Sequence, residues 1–145
     1  MQAFPDSLSR RRFLVALCGE GIAVLALPRF ALAARRRRHP TGLHPTPRPG
    51  ITAAKVLSKE QLAETPSLIP VFDQVREIPE IVDGIRCQCG CADLEGYYSL
   101  LSCYEGDAMA RHCTVCQGQA HLAHRLHTQG KTLDEIRNAI DVRYG

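Results

Sequence analysis

The sequence predicts a small all-α domain: a cysteine-rich helical unit with an irregular cysteine loop, preceded by a signal peptide and a flexible linker. Three observations carry that prediction. Apolar residues recur at helical spacing on both sides of a central segment that has no period. No run alternates convincingly with period two, so no strand is expected. Two serine or threonine residues stand three places before Gln or Glu, the signature of a helix start. The 145 residues correspond to one domain, and no internal repeat is present.

The first 33 residues read as an export signal. Ser9-Arg10-Arg11-Arg12-Phe13-Leu14 matches the twin-arginine pattern. The apolar run from Phe13 to Leu27 is about fifteen residues, short of the roughly 20 needed to span a bilayer. Ala31-Leu32-Ala33 supplies the small residues of a cleavage site, with cleavage expected after Ala33. Cys18 follows Leu17, which makes a poor lipid-attachment site, and reads as an apolar residue of the removed segment. The expected destination is the periplasm or the exterior of the cell envelope. Membrane contact is expected only through an uncleaved signal.

Residues 34–57 read as a basic, proline-rich linker. Within it, RRRRHPTGLHPTPRPG runs from Arg35 to Gly50 and has no apolar period. His39 and His44 are expected to be solvated there. Charge divides at the same place. Residues 1–50 hold nine Arg against two acids, net +7, and residues 51–145 hold nine Lys/Arg against thirteen Asp/Glu, net −4. The acidic domain carries no electrostatic footprint for nucleic acid.

The helical domain is assigned to residues 58–145. Ser58 with Gln61 predicts a short helix through Glu64. Leu68, Val71, Phe72 and Val75 predict a second, from Pro66 or Ser67 to about Glu77. Pro79 opens a further turn that directs Ile81, Val82 and Ile85 to a core. Residues 86–109 read as a loop with one helical turn near Tyr97 to Leu101. A long helix is expected from about Ala110 to Gln129, ended by Gly130. Thr132 and Glu135 then box a final helix that carries Leu133, Ile136, Ile140 and Val142.

A core this small, with no tryptophan, gives little net stability, and domains near this size commonly need a staple. Cysteine supplies one. Cys87, Cys89 and Cys91 fall at every second residue, with Gly90 allowing a tight bend. Cys103 follows, and then Cys113 and Cys116 stand three apart, with His112 before them and one turn from Cys116. Thiolates with an optional imidazole suit a soft ion. Six sulfurs and one imidazole exceed one four-coordinate ion, so either two ions share sulfurs or some cysteines do another job.

Arg86-Cys87-Gln88-Cys89-Gly90-Cys91 resembles the PCYCGC motif of a family of small exported bacterial proteins, also called the CYCXC family. The likeness continues through Cys103, His112, Cys113-Thr114-Val115-Cys116 and Thr132 to Arg137, and covers roughly residues 66–145. Arg86 stands where the family has proline, and Gln88 where it has tyrosine. The resemblance implies a metal-binding or thiol-based role and transfers no catalytic activity.

Three chemistries therefore stay open. The first is binding of Zn or Cu(I) by Cys87, Cys89, Cys91, Cys103, Cys113 and Cys116, with His112 as a further ligand. Twin-arginine export moves folded cargo, so the domain must form in a reducing cytoplasm where disulfides are rare. The second is a purely structural set of three disulfides, with about 15 possible pairings. The third is thiol–disulfide exchange at Cys113 and Cys116, against which stands the lack of a βαβ context. Haem attachment is excluded because Gln117 occupies the place of its histidine. His121, His124 and His127 form a drifting stripe that reads as a polar helix face. No acid pair, serine–histidine arrangement or phosphate loop points to an enzyme. The metal ion is the one partner the residues specify, beside an unidentified protein partner.

Overall fold

The computed structural model describes residues 42–145; the signal, Cys18 and His39 lie outside them. Four α-helices follow in order: α1 (Ile69–Glu77), α2 (Pro79–Asp83), α3 (Thr114–Thr128) and α4 (Leu133–Tyr144). Short 3-10 turns at Pro66–Leu68, Cys91–Asp93, Leu101–Tyr104 and Met109–Arg111 shape the connections. Among the described residues there is no strand, only one antiparallel bridge between Val56 and Glu105. No described helix is long and apolar enough to cross a membrane.

Each helix has a local reason. Pro70 lies in the first turn of α1 and Pro79 opens α2, where a missing N–H costs nothing. Gly130, at φ 76°, follows α3 in the left-handed conformation that glycine adopts without strain. At the start of α4 the Glu135 amide donates to Thr132 Oγ1 at 3.3 Å, and the Thr132 amide donates to Glu135 Oε2 at 2.8 Å. The Lys131 ammonium, then the Thr132 amide, hold the Glu135 carboxyl down to about 2. Thr132→Ala is expected to cost about 1 kcal/mol of stability. Urea unfolding with the Glu135→Gln variant as a comparison checks whether the loss belongs to the cap.

Helix α3 packs against both α1 and α4. The shared interior holds Phe72 and Val75 of α1, Val82 of α2, Ala120 and Ala123 of α3, and Ile136 and Ile140 of α4. Phe72 meets Tyr104 edge-on, with ring centroids 4.8 Å apart. Tyr104 is fully buried, and its hydroxyl donates to the Cys116 carbonyl at 3.0 Å. The long irregular segment between α2 and α3 is thereby part of the core.

Several expectations are corrected. The Ser58–Gln61 box forms, with the Ser58 amide donating to Gln61 Oε1 at 2.8 Å, yet Ser58–Glu64 is a run of turns and no helix. Pro66 follows too soon for helical hydrogen bonds to accumulate. The helical turn expected at Tyr97–Leu101 falls at Leu101–Tyr104. The long helix begins at Thr114, not Ala110. Val142 is 88% exposed and takes no part in the core.

The largest correction concerns the linker. Residues 42–57 lie against the helices, and the ordered chain begins well before Ser58. Asp83, fully buried at the end of α2, accepts from the Arg48 amide at 2.8 Å, from Arg48 Nη2 at 2.7 Å and from the Ser99 hydroxyl at 2.8 Å. Arg137 Nη2 donates to the Pro45 carbonyl at 2.7 Å, and the Tyr98 hydroxyl to the Thr46 carbonyl at 2.6 Å. Gly84 is where the segment passes closest, since a Cβ there would sit 3.0 Å from Pro47 and 2.7 Å from Leu133. His44, expected in solvent, has a side chain only 12% exposed.

Candidate metal centre

The site begins where α2 ends. Ile85 is fully buried, and its carbonyl accepts from the Leu100 amide at 2.7 Å, which closes the base of the cysteine loop. Beyond it the chain turns at Gly90, whose φ of 93° lies in the left-handed region that glycine adopts without strain. The 3-10 turn Cys91–Asp93 follows directly. Cys87 and Cys91 thus point inward, 1% and 3% exposed. Cys103 arrives from the Leu101–Tyr104 turn and Cys116 from the first turn of α3, both fully buried.

These four sulfurs all lie within 4.8 Å of one another. Cys91 and Cys103 approach to 3.0 Å, Cys87 and Cys116 to 3.5 Å. Cys89 is half-buried and stands 3.3 Å from Cys87, 3.1 Å from Cys91 and 3.7 Å from Cys116. Cys113 is the N-cap of α3, its sulfur accepting from the Cys116 amide at 3.5 Å. It forms a second group with Cys89 and Cys116, again within 4.8 Å. Six cysteines separated by eleven and nine residues therefore converge on one point, and all six are free thiols. Every sulfur pair stands well beyond the roughly 2.05 Å of a disulfide bond.

The electrostatics follow from the crowding. Hydrogen bonds, first from Cys103 and then from Cys116, drive the Cys91 thiol far below its ordinary range. Contact with Cys103 and Cys87 pushes the Cys116 thiol far above it. Cys103 is also raised, as its contacts with Cys87 and Cys91 and its burial outweigh the lowering effect of Cys116. The cluster accepts one thiolate readily and resists the next, because buried negative charges repel. A cation placed among the sulfurs removes that resistance and lets further protons leave.

His112 is exposed and precedes α3, so it is not carried on the helix one turn from Cys116. It belongs to neither sulfur group. The groups that could hold an ion consist entirely of cysteine among the described residues. His121 bonds Gln74 at 2.6 Å and His124 bonds Glu77 at 2.7 Å, so these two histidines link α3 to α1.

Sequence reasoning missed the shell that holds the loop. The Arg86 amide donates to His44 Nδ1 at 3.0 Å, which leaves the proton on Nε2, facing the Asp141 carboxylate at 3.1 Å. The Gln88 side-chain amide donates to the same carboxylate at 2.7 Å. Both residues flanking Cys87 are thus tied to α4. Gln119, fully buried one turn after Cys116, accepts from the Gln88 amide at 3.4 Å. Its Nε2 has no partner among the described residues. The one available signal was a glutamine on the buried face of α3. His44→Ala is expected to speed exchange of the Arg86 amide hydrogen about fivefold, the value of one net hydrogen bond near 1 kcal/mol. Hydrogen–deuterium exchange resolved at Arg86 checks this.

No curated protein and no solved structure matches the chain. A family profile described as "Protein of unknown function with PCYCGC motif" matches residues 50–145, most of the described chain. The matched region holds all six converging cysteines, with Arg86 and Gln88 in place of the motif's proline and tyrosine. A proline at 86 would have no N–H to offer His44, so this clamp depends on the substitution. This chain belongs to the family of proteins of unknown function with a PCYCGC motif.

Proposed function

We propose that the protein is an exported soft-metal-binding protein that holds Zn or Cu(I) through its cysteine cluster. One observation carries this reading: Cys87, Cys91, Cys103 and Cys116 bring four buried sulfurs within 4.8 Å of one another. Four converging cysteine thiolates are the donor set of a closed structural zinc site. Soft thiolate ligands equally accept Cu(I). The ligands proposed are the cysteines, since His112 lies outside both groups.

The export half rests on Ser9 to Leu14 and the Ala31-Leu32-Ala33 cleavage signal. Twin-arginine cargo folds before it crosses the membrane. A metal staple forms in the cytoplasm, where disulfides rarely do. The signal then leaves after Ala33, and the loaded domain resides in the periplasm or on the envelope exterior.

Cobalt reconstitution tests the metal reading. The reduced, metal-free chain mixed with Co(II) should develop intense thiolate-to-metal absorption and the visible bands of a tetrahedral ion. Added Zn should bleach them. A spectrum no different from cobalt in buffer overturns the proposal. A second reading has one observation behind it, the 3.0 Å approach of Cys91 to Cys103. Reversible formation of that disulfide without any metal uptake would make the cluster a thiol–disulfide centre.

A further inference from the structure

The two sulfur groups are unlike each other. Cys87, Cys91, Cys103 and Cys116 are buried and supply four ligands. Cys89, Cys113 and Cys116 supply three, and Cys89 and Cys113 are only half-buried. The groups meet at Cys116. A single four-coordinate ion in the first group would leave Cys89 and Cys113 without work. Yet Cys89 stands against three sulfurs of that group, and Cys113 is held at the mouth of α3, where backbone N–H groups favour negative charge.

We infer that the cluster is a two-ion site in which Cys116 bridges a closed four-thiolate ion and an open three-thiolate ion. The inference rests on the metal-binding reading above. Three protein ligands leave one position of a tetrahedral ion to an exogenous ligand, the arrangement of zinc sites that exchange or react. The closed ion holds the fold together. The open ion loads and unloads by ligand exchange on the solvent side.

Charge selects the class of ion. Two divalent ions bring four positive charges to six thiolates and leave a net −2, the charge of one ordinary four-thiolate zinc site. Two monovalent ions would leave −4 in a partly buried cluster, or −2 only with two cysteines still protonated and lost as ligands. The open site is therefore assigned to a divalent thiophilic ion of the Zn2+ class.

The test uses the full chain, reduced and anaerobic, loaded with Zn2+ alone. Native mass spectrometry should count two ions per chain. A colorimetric chelator should then remove one at least tenfold faster than the other. Cys113→Ser keeps the α3 cap, because serine is a better N-cap than cysteine, and removes one ligand of the open site only. It should hold one ion and lose the fast phase, with its far-UV dichroism unchanged. Cys89→Ala should do the same by a second route. One ion in the wild type, unchanged in both variants, would overturn the two-ion inference and leave the metal-binding function standing. No ion in any of the three proteins would overturn the function itself.

Discussion

Stripping the metal proposed for the cysteine cluster, under reducing conditions, is expected to abolish cooperative thermal unfolding of the domain or to lower its Tm by roughly 20 °C or more. The reason lies in how the core is built. Cys87, Cys91, Cys103 and Cys116 occupy the interior beside Ile85, Leu100, Leu101 and Tyr104. Without a cation these thiols must keep most of their protons, and the contacts left to them are weak S–H hydrogen bonds. A structural zinc ion contributes on the order of 10 kcal/mol to folding. The whole stability of an ordinary domain is about 5–15 kcal/mol. The loop from Arg86 to Cys113 should melt first, because its backbone makes turns in place of long helical runs. Scanning calorimetry of holo and chelated protein checks the shift. An unchanged transition after verified metal removal would show that apolar packing alone holds the fold.

Asp83→Ala is expected to cost about 2–3 kcal/mol, the value of leaving buried hydrogen-bond donors without their acceptor. Its carboxylate lies fully buried between three parts of the chain: Arg48 of the N-terminal segment, its own helix α2, and Ser99 of the cysteine loop. Alanine leaves the Arg48 amide and the Ser99 hydroxyl without their acceptor, while the Arg48 guanidinium, 41% exposed, keeps access to water. Burial pushes the Asp83 carboxyl up. The Arg48 guanidinium, the Arg48 amide and the Ser99 hydroxyl outweigh burial and hold it below its ordinary value. The contribution to stability is therefore complete above the unfolded carboxyl's pKa of about 3.9 and is lost as pH falls through the lower folded value. Urea unfolding between neutral pH and pH 3 should show that loss in the wild type and not in Asp83→Asn. A wild-type acid limb identical to that of the variant would place the sensitivity elsewhere.

The helical half of the fold was legible because its cues are local. The α4 box needs only Thr132 and Glu135, and the α1 face needs only Val71, Phe72 and Val75 at helical spacing. A cap signal alone is weaker, as Ser58 and Gln61 show: the box closes and no helix grows from it. The convergence of the cysteines was legible as chemistry, because a small core with six thiols needs somewhere to put them. Their geometry was not, since it depends on turns at Gly90 and Leu101–Tyr104 that carry no period.

The N-terminal segment was misread for a related reason. Its prolines and arginines have the composition of a free linker, and nothing in composition reports a hydrogen bond between His44 and Asp141, 97 residues apart. Nor does it report that Arg48 would find a buried carboxylate. His112 misled in the opposite direction. It is next to Cys113 in sequence, but the helix starts after it, and its side chain is left in solvent.

Metal content and free-thiol count should be measured together on one sample of the full chain, taken from the producing cells and purified without chelator. At least one thiophilic ion per chain is expected, with the six clustered cysteines slow to react until the metal is removed. No metal, together with six thiols that react at once or six that are already oxidised, would contradict the metal reading.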